Sequence, residues 1–153
     1  MKIKIITIGG YRIDFVKSGV DYYLNKIKHF SKIEIVSLNL KDNFNSPAEK
    51  LKKQSESALK YVNENDFVFL CDIKGKKYDS IGFAKEVEKI LNTSKDLVFV
   101  IGGDEGFDES LIKRSNLRVS FSDLTFSHEL FLVMLLEQIY RIFSIMKNYP
   151  YHK

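Results

Sequence analysis

Apolar and polar positions change their spacing along this chain, and the changes predict alternating strands and helices. Ile3, Ile5, Ile6 and Ile8 form a β-branched strand that ends at Gly9-Gly10, and the next apolar residues recur every three or four positions over a helix from Arg12 to Phe30. The same analysis predicts further strands over residues 33–40, 67–73, 97–101 and 117–121. It predicts further helices over residues 47–63, from Asp79 or Ser80 to about residue 91, over 108–114 and over 128–148. Strands that alternate with helices are typical of an α/β fold with a parallel sheet. No repeat, linker or shift of composition divides the chain, so we expect one domain over residues 1–153.

Three details refine this order. Leu97–Ile101 is an uninterrupted apolar run, which is typical of a strand buried on both faces of a parallel sheet. Pro47 suits the first turn of the second helix, where a proline loses no hydrogen bond. We expect Lys74-Gly75 to break the third strand after residue 73.

Composition limits the class of protein. The chain has 153 residues, of which 44% are hydrophobic and 29% charged, as in ordinary globular domains. No apolar run approaches the roughly 20 residues that cross a bilayer, so we expect no membrane association. The single cysteine, Cys71, excludes a disulfide framework within the chain and favours the reducing cytoplasm. We interpret Cys71 as a small buried hydrophobic residue rather than a nucleophile.

The net charge of +4 is unevenly distributed. Residues 1–76 contain 14 Lys or Arg against 9 Asp or Glu, whereas residues 77–153 contain 10 against 11. Lysines between Lys50 and Lys60 are candidates for contacts with a phosphate backbone. Charge alone favours a simpler interpretation, a solvated lysine-rich surface, so RNA binding needs support from other residues.

A glycine-rich turn follows the fourth strand. Val100–Gly106 contains three glycines, and a glycine turn at the carboxyl end of a strand lets a ligand approach the bare backbone. Its spacing does not fit the dinucleotide fingerprint or the P-loop, and Asp104 and Glu105 would repel a pyrophosphate. The turn therefore favours a neutral or cationic ligand, with a purely structural strand-to-helix turn as the alternative.

The last predicted helix has a wide apolar stripe and a few polar positions. The stripe would suit a twofold dimer contact. Glu137 and Arg141 are four residues apart, so they form either a simple ion pair or, with Arg141 directed elsewhere, a site for an anionic group. The three histidines lack the spacing of metal ligands, and we expect no metal.

Four segments, taken together, resemble the RlmH family, the smallest SPOUT-class RNA methyltransferases that use S-adenosylmethionine. The resemblance covers the whole chain. The segments that carry it are Phe99–Gly106 (FVIGGDEG), Ser120–His128 (SFSDLTFSH), Glu137–Arg141 (EQIYR) and Tyr151–Lys153 (YHK).

The resemblance implies a fold, an activity and partners. It implies a SPOUT-type α/β fold with a C-terminal trefoil knot, which no pattern argument would have proposed because knots are rare. It further implies a homodimer, S-adenosylmethionine as the methyl donor, and methylation of N3 of a pseudouridine in helix 69 of 23S ribosomal RNA within the assembled ribosome.

The resemblance also assigns roles to residues. Arg141, Tyr151 and His152 match positions associated with substrate and catalysis. Our hypothesis is that His152 and Arg141 remove the N3 proton or stabilise the N3 anion while Tyr151 orients the base, although His152 could equally pack or contact phosphate. The implied donor site consists of Leu70, Gly102, Gly103, Phe121, Ser122, Asp123, Leu124, Thr125 and Phe126.

One departure and three alternatives stay open. Family members commonly have an arginine four residues after the histidine of the T-x-x-H segment, where this chain has Leu132, so a phosphate contact there is lost or supplied by a lysine. The chain could instead be a SPOUT-like methyltransferase of another RNA, such as transfer RNA, or a noncatalytic ribosome-associated factor. A flavodoxin-like nucleotide-binding domain would need a phosphate loop after the first strand, for which Gly9-Gly10 is a weak candidate.

Overall fold

The computed structural model describes residues 1–41 and 43–153, and it confirms the predicted order of strands and helices. Asp79 is the N-cap of the third helix, because its side chain accepts a hydrogen bond from the Gly82 amide at 2.6 Å. The elements are β1 (Lys2–Ile8), α1 (Asp14–Ile27), β2 (Lys32–Leu38), α2 (Pro47–Leu59), β3 (Phe67–Lys77), α3 (Ser80–Leu91), β4 (Leu97–Ile101), α4 (Glu109–Arg114), β5 (Leu117–Ser120) and α5 (His128–Met146).

The strands form one parallel sheet in the order β2-β1-β4-β3-β5, which confirms the α/β class. All five residues of β4 are buried, as its continuous apolar run predicts. Alternate side chains of the strands form two cores: Phe69 and Phe99 pack on the face of α1, α3 and α5, whereas Leu70 and Val100 pack on the face of α2 and α4. The trefoil knot stays a prediction for this chain.

The third strand is longer than predicted, because Lys74-Gly75 does not end it. Its pairing with β5 shifts register instead, so that Cys71 and Lys76 both lie opposite Val119. Gly75 allows this close approach: a Cβ atom there would lie 2.5 Å from the Val119 nitrogen. The glycine therefore shapes a bulge that continues the strand to Lys77.

The apolar stripe of α5 lies mostly inside the protomer. Leu135, Ile139, Ile142 and Phe143 are buried in the core between α5, α1 and α3. Leu132, the position of the family arginine, is 1% exposed, so in this chain it does not present a side chain to a phosphate. Intramolecular packing explains the buried part of the stripe, so a dimer contact would use its exposed positions, such as Leu130, or other residues.

Three helices are shorter than their patterns predict. α1 spans Asp14–Ile27, α2 ends at Leu59 and α5 ends at Met146. The chain leaves α5 at Asn148, which has the left-handed φ of 54° that asparagine tolerates. In the part of the chain that the structure describes, no helix is both long and apolar enough to cross a membrane.

Candidate functional site

A cleft of about 390 Å³ opens at the carboxyl ends of β3, β4 and β5; we call it the glycine-turn cleft. This volume lies within the range of about 300–1,000 Å³ that is typical of small-molecule sites. The structure brings most of the sequence-predicted donor residues together here. Those that line the cleft are Gly102, Gly103, Phe121, Ser122, Leu124, Thr125 and Phe126.

Two residues of the predicted donor set lie outside this lining. The Leu70 side chain is fully buried in the core on the α2 and α4 face. Asp123 is exposed and forms an ion pair with Lys77 on β3. The residues that follow Leu70, from Cys71 to Ile73, line the cleft instead.

Packing and backbone conformation explain two of the glycines of the turn, in addition to the access that the turn gives to the cleft. A Cβ atom at Gly102 would lie 3.0 Å from the Phe107 ring and 3.1 Å from the Gly106 carbonyl oxygen. Gly106 has a φ of +79° and its amide donates to the Gly103 carbonyl at 3.1 Å, which closes the turn. A Cβ atom at Gly103 would meet Ile8 at an ordinary 3.5 Å. Gly102 and Gly106 therefore fix the shape of the turn, whereas Gly103 has room for a methyl group.

One wall of the cleft is held by a partly buried ion pair between neighbouring strands. The Arg118 guanidinium on β5 donates through Nε and Nη2 to Asp72 Oδ2, at 3.0 and 2.5 Å. The other oxygen of Asp72 accepts from the Lys74 amide at 3.0 Å, which supports the β3 bulge. Burial, together with the adjacent Asp72, raises the pKa of the Cys71 thiol. Cys71 is therefore a neutral thiol in the cleft wall. A neutral thiol is a weak nucleophile, in line with the interpretation of Cys71 as a non-catalytic residue.

The loop after β5 forms the opposite wall. Ser120 Oγ donates to the Ser122 carbonyl at 3.0 Å, and Ser122 Oγ accepts from the Leu124 amide at 3.0 Å. These short-range bonds are typical of serine-rich turns and explain why the polar segment bends back. Leu124 lines the cleft and is 71% exposed, so an apolar side chain lies at the edge of the cleft beside the hydroxyls of the serine-rich turn.

The predicted donor set also lacked other residues that line the cleft, among them Phe107, His128 and Phe131. His128 begins α5 and its Nε2–H donates to the Gly10 carbonyl at 2.8 Å, tying the turn after β1 to the cleft. The signal for Phe131 was its three-residue spacing from His128, which places both on one face of the first helical turn.

The predicted catalytic residues form a separate cluster at the end of α5. Arg141 Nε and Nη2 donate to Glu137 Oε1 at 3.1 and 2.5 Å, and the Tyr151 hydroxyl donates to the same oxygen at 2.9 Å. Arg141 lies 4.7 Å from the centre of the Tyr151 ring, and its Nη1 lies 3.1 Å from His152 Nδ1. The tail thus folds back on the helix of its own protomer.

These contacts define the protonation forms in the cluster. Arginine is always a donor, so His152 Nδ1 accepts and the imidazole carries its hydrogen on Nε2. Burial, followed by the contact with Glu137, raises the pKa of Tyr151, which is therefore a neutral phenol. The bond to Glu137 raises the pKa of Arg141 and keeps its charge fixed. The cluster offers a cation and the Nε2–H donor of His152, since the hydrogen of the Tyr151 hydroxyl is donated to Glu137.

The cluster does not line the glycine-turn cleft. It joins a second cavity of about 510 Å³ through Glu137, which lines that cavity between α3 and α5; we call it the α3–α5 cleft. The two clefts share Val119, Ser120 and Phe121. Among residues 1–41 and 43–153, no three His, Cys, Asp or Glu side chains are grouped as metal ligands.

Comparisons with known proteins identify the family of this chain. Residues 1–152 match the family model described as "Predicted SPOUT methyltransferase". The chain is 44% identical over 158 aligned positions to the ribosomal RNA large subunit methyltransferase H of Malacoplasma penetrans, with complete coverage of both chains. It is 38% identical to the proteins of the same name from Pseudothermotoga lettingae, over 99% of each chain, and Enterococcus faecalis, over 100% of each. The chain belongs to the SPOUT methyltransferases, in the family of ribosomal RNA large subunit methyltransferase H.

Proposed function

We propose that this protein transfers a methyl group from S-adenosylmethionine to N3 of a pseudouridine in helix 69 of 23S ribosomal RNA. The observation that carries the proposal is the glycine-turn cleft, an open cavity lined by seven of the residues that the resemblance assigns to the donor. Full-length relatives whose names state methylation of large-subunit ribosomal RNA support the substrate class.

The lining of the glycine-turn cleft suits this donor. Backbone of the glycine turn and hydroxyls of Ser122 and Thr125 offer hydrogen bonds, and Phe126 and Phe131 offer apolar contacts for a purine. Asp104 adds a carboxylate compatible with a cationic ligand. When bound, the donor supplies an electrophilic methyl group on a sulfonium.

The Arg141 cluster is suited to the other half of the reaction. Neutral N3 of a uracil-type base is a poor nucleophile, and stabilising its anion requires positive charge or hydrogen-bond donors. Arg141 supplies a permanent cation, and His152 supplies an Nε2–H donor as long as Arg141 occupies Nδ1. Tyr151 remains neutral and can orient the base. In this form His152 stabilises an anion rather than accepting a proton.

The assembled ribosome and a second copy of the chain are the proposed partners, both in the cytoplasm. Phe15 and Tyr22 on α1 are 63% and 55% exposed and Leu130 on α5 is 39% exposed, and α1 and α5 pack side by side. Exposed apolar residues on adjacent helices fit a dimer contact. Lys52, Lys53 and Lys60 are exposed on or next to α2 and are candidates for RNA phosphates.

Mass mapping of ribosomal RNA tests the function. Intact ribosomes that lack the modification are incubated with the protein and S-adenosylmethionine, and we expect one added methyl group on the helix 69 pseudouridine. Methylation of transfer RNA with none on ribosomal RNA would instead support the alternative substrate. If calorimetry detects no binding of S-adenosylmethionine, the enzymatic proposal fails and the noncatalytic factor is left.

A further inference from the structure

The second helix, α2, lies against the glycine turn. Lys50 Nζ on this helix lies 3.8 Å from Glu105 Oε2. A Cβ atom at Gly103 would lie 3.6 Å from Gln54 Nε2 and 3.8 Å from Gln54 Oε1. Lys50 and Gln54 are four residues apart and therefore share one face of the helix. Gly103 lines the glycine-turn cleft and Gln54 does not, so Gln54 lies against the turn from outside the cavity.

The side chain of Gln54 is buried with an unused acceptor. The residue is 5% exposed, and its Oε1 atom has no hydrogen-bond partner among the described residues. Ala58, one turn further along α2, and Ile8, which also lies next to Gly103, belong to the apolar core on this face of the sheet. A buried polar atom without a partner destabilises a folded protein, and nearly all such atoms are paired in native structures. The unused acceptor therefore indicates a partner that Gln54 engages during function.

The glycine turn supplies donors for this acceptor. Each of its residues carries one backbone N–H, of which the Gly106 N–H closes the turn by donating to the Gly103 carbonyl at 3.1 Å. Because Gly103 has no side chain, no Cβ atom separates its peptide groups from the Gln54 amide. A hydrogen bond needs about 2.9 Å between nitrogen and oxygen. A small displacement of the turn toward α2, or a rotation of the amide group, is enough to bring a turn N–H to that distance.

We propose that Gln54 is a positioning residue of the methyl-donor site, which holds the glycine turn in the shape that binds the donor by accepting a hydrogen bond from a turn amide at Oε1. A residue outside the cavity changes donor affinity only if it interacts differently with the turn in its bound and unbound shapes, and this bond supplies that difference. The inference deepens the proposed function and rests on it for the identity of the donor.

Gln54→Leu separates this role from a structural one, because leucine keeps most of the volume and removes the amide. We expect the calorimetric Kd for S-adenosylhomocysteine to rise about 10-fold, the effect of one lost hydrogen bond. We expect the urea midpoint of unfolding to stay the same or to rise, since an apolar side chain replaces an unpaired polar group. An unchanged Kd, or a lower midpoint that accompanies the weaker binding, would overturn the proposal.

Two further variants identify the atom that acts. Ser55→Ala is the matched control, because Ser55 is 1% exposed and its Oγ is also unpartnered among the described residues, but consecutive helical residues face different directions. We expect its Kd to stay within about twofold of the wild type, and equal weakening would assign the effect to the packing of α2 instead. Gln54→Glu keeps an acceptor oxygen whether its carboxyl group is ionised or protonated, so its Kd should stay within about threefold of the wild type. A loss as large as in Gln54→Leu would refute the acceptor role of Oε1.

Steady-state kinetics with intact ribosomes gives a second signature. Since Gln54 does not touch the reacting atoms in this proposal, Gln54→Leu should raise the KM for S-adenosylmethionine about 10-fold and leave kcat within about twofold of the wild type. A fall in kcat with an unchanged KM would contradict a role in donor binding.

A measurement on the wild type does not depend on any variant. In deuterated protein with bound S-adenosylhomocysteine, NMR should detect a scalar coupling across the hydrogen bond between a backbone nitrogen of the turn and Cδ of Gln54. Couplings across the pairing of β1 with β4 serve as the positive control in the same spectrum. Detection of these couplings without that of Gln54 would show that water or another group satisfies Oε1 and would overturn the proposal.

The outcomes distinguish this inference from the proposed function. Donor binding that Gln54→Leu weakens, without methylation of helix 69, would leave the role of Gln54 standing and refute the proposed function. Donor binding and ribosomal methylation that Gln54→Leu leaves unchanged would overturn the role of Gln54 alone. A wild-type protein that does not bind S-adenosylhomocysteine would refute both.

Discussion

Glu137→Gln is the variant that best separates docking of the tail from binding of the donor. The Glu137 carboxylate accepts hydrogen bonds from Arg141, Tyr151 and Gln138, and it is one of the residues of α5 that hold the tail, together with Tyr140 and Arg141. Glutamine has nearly the same shape but no charge and only one acceptor oxygen. We therefore expect the tail to detach while the fold and the glycine-turn cleft persist.

The contacts give the size of the effect. A hydrogen bond to a charged group contributes about 1.5–3 kcal/mol, and Glu137 is 19% exposed, so solvent screens it only in part. Because one amide oxygen can replace part of these bonds, we expect a loss of about 2 kcal/mol in tail docking. This corresponds to a fall of about 30-fold in kcat/KM for ribosome methylation.

Three measurements test this reasoning against the control Glu88→Gln, an exposed glutamate on α3. Methyl transfer should fall about 30-fold, removal of Lys153 by carboxypeptidase should accelerate by a similar factor, and the calorimetric Kd for S-adenosylhomocysteine should stay within about twofold. The control should match the wild type in all three. Unchanged kcat/KM, or a loss of donor affinity equal to the loss of transfer, would refute a positioning role for Glu137.

Three further predictions concern the bulge, acid stability and the tail histidine. Gly75→Ala should lower the free energy of unfolding by about 1–3 kcal/mol in urea denaturation, because the added Cβ meets the Val119 backbone at 2.5 Å. The control Gly103→Ala should leave the free energy of unfolding nearly unchanged. Equal effects of the two substitutions would contradict the packing argument. The Glu129 carboxylate accepts from the amides of Arg12 and Ile13, and these bonds lower its pKa from 4.5. The ionised Glu129 carboxylate therefore stabilises the folded protein above pH 4.5, and this stabilisation is lost as the pH falls through the lower pKa of the folded state. The difference in unfolding free energy between wild type and Glu129→Gln should accordingly shrink below pH 4.5. A difference that does not depend on pH would refute this reasoning. In His152→Gln the amide nitrogen can replace the Nε2–H donor, so the rate of methyl transfer should stay within about 10-fold of the wild type. In His152→Asn the shorter side chain cannot, and the rate should fall about 100-fold or more. Equal losses in the two variants would indicate that His152 is a proton acceptor instead.

Elements with strong local periodicity were predictable from the sequence. The buried run of β4, the proline at the start of α2 and the Asp79 cap each depend on residues close in sequence, and the structure confirms them. The bulge of β3 was not predictable, because it depends on the distance between Gly75 and the backbone of β5, a contact across the sheet. Gly75 therefore marks a close approach, which sequence alone cannot distinguish from a strand end.

The glycine-turn cleft likewise combines features that were predictable from the sequence with features that depend on contacts between distant residues. The resemblance grouped the glycine turn with the loop after β5, and these segments meet because the carboxyl ends of neighbouring parallel strands lie at one edge of a sheet. Leu70 falls outside the lining because its side chain points to the core on the opposite face from its neighbour Phe69. The roles of Phe107 and His128 arise from contacts with Gly102 and with the turn after β1, which no short motif records.

The tail shows how three-dimensional contacts change a chemical assignment made from residue types. For the proposed transfer to N3, a histidine in the C-terminal tail suggests a general base, since imidazole is the commonest one. Arg141 can only donate, however, and its contact with His152 Nδ1 leaves Nε2–H as the remaining polar group of the ring. Glu137 holds Arg141 and Tyr151 by the same oxygen and so couples all three residues to the wall of the α3–α5 cleft. In the proposed reaction, the N3 proton therefore leaves to water or to a group of the RNA, and the protein stabilises the anion that remains.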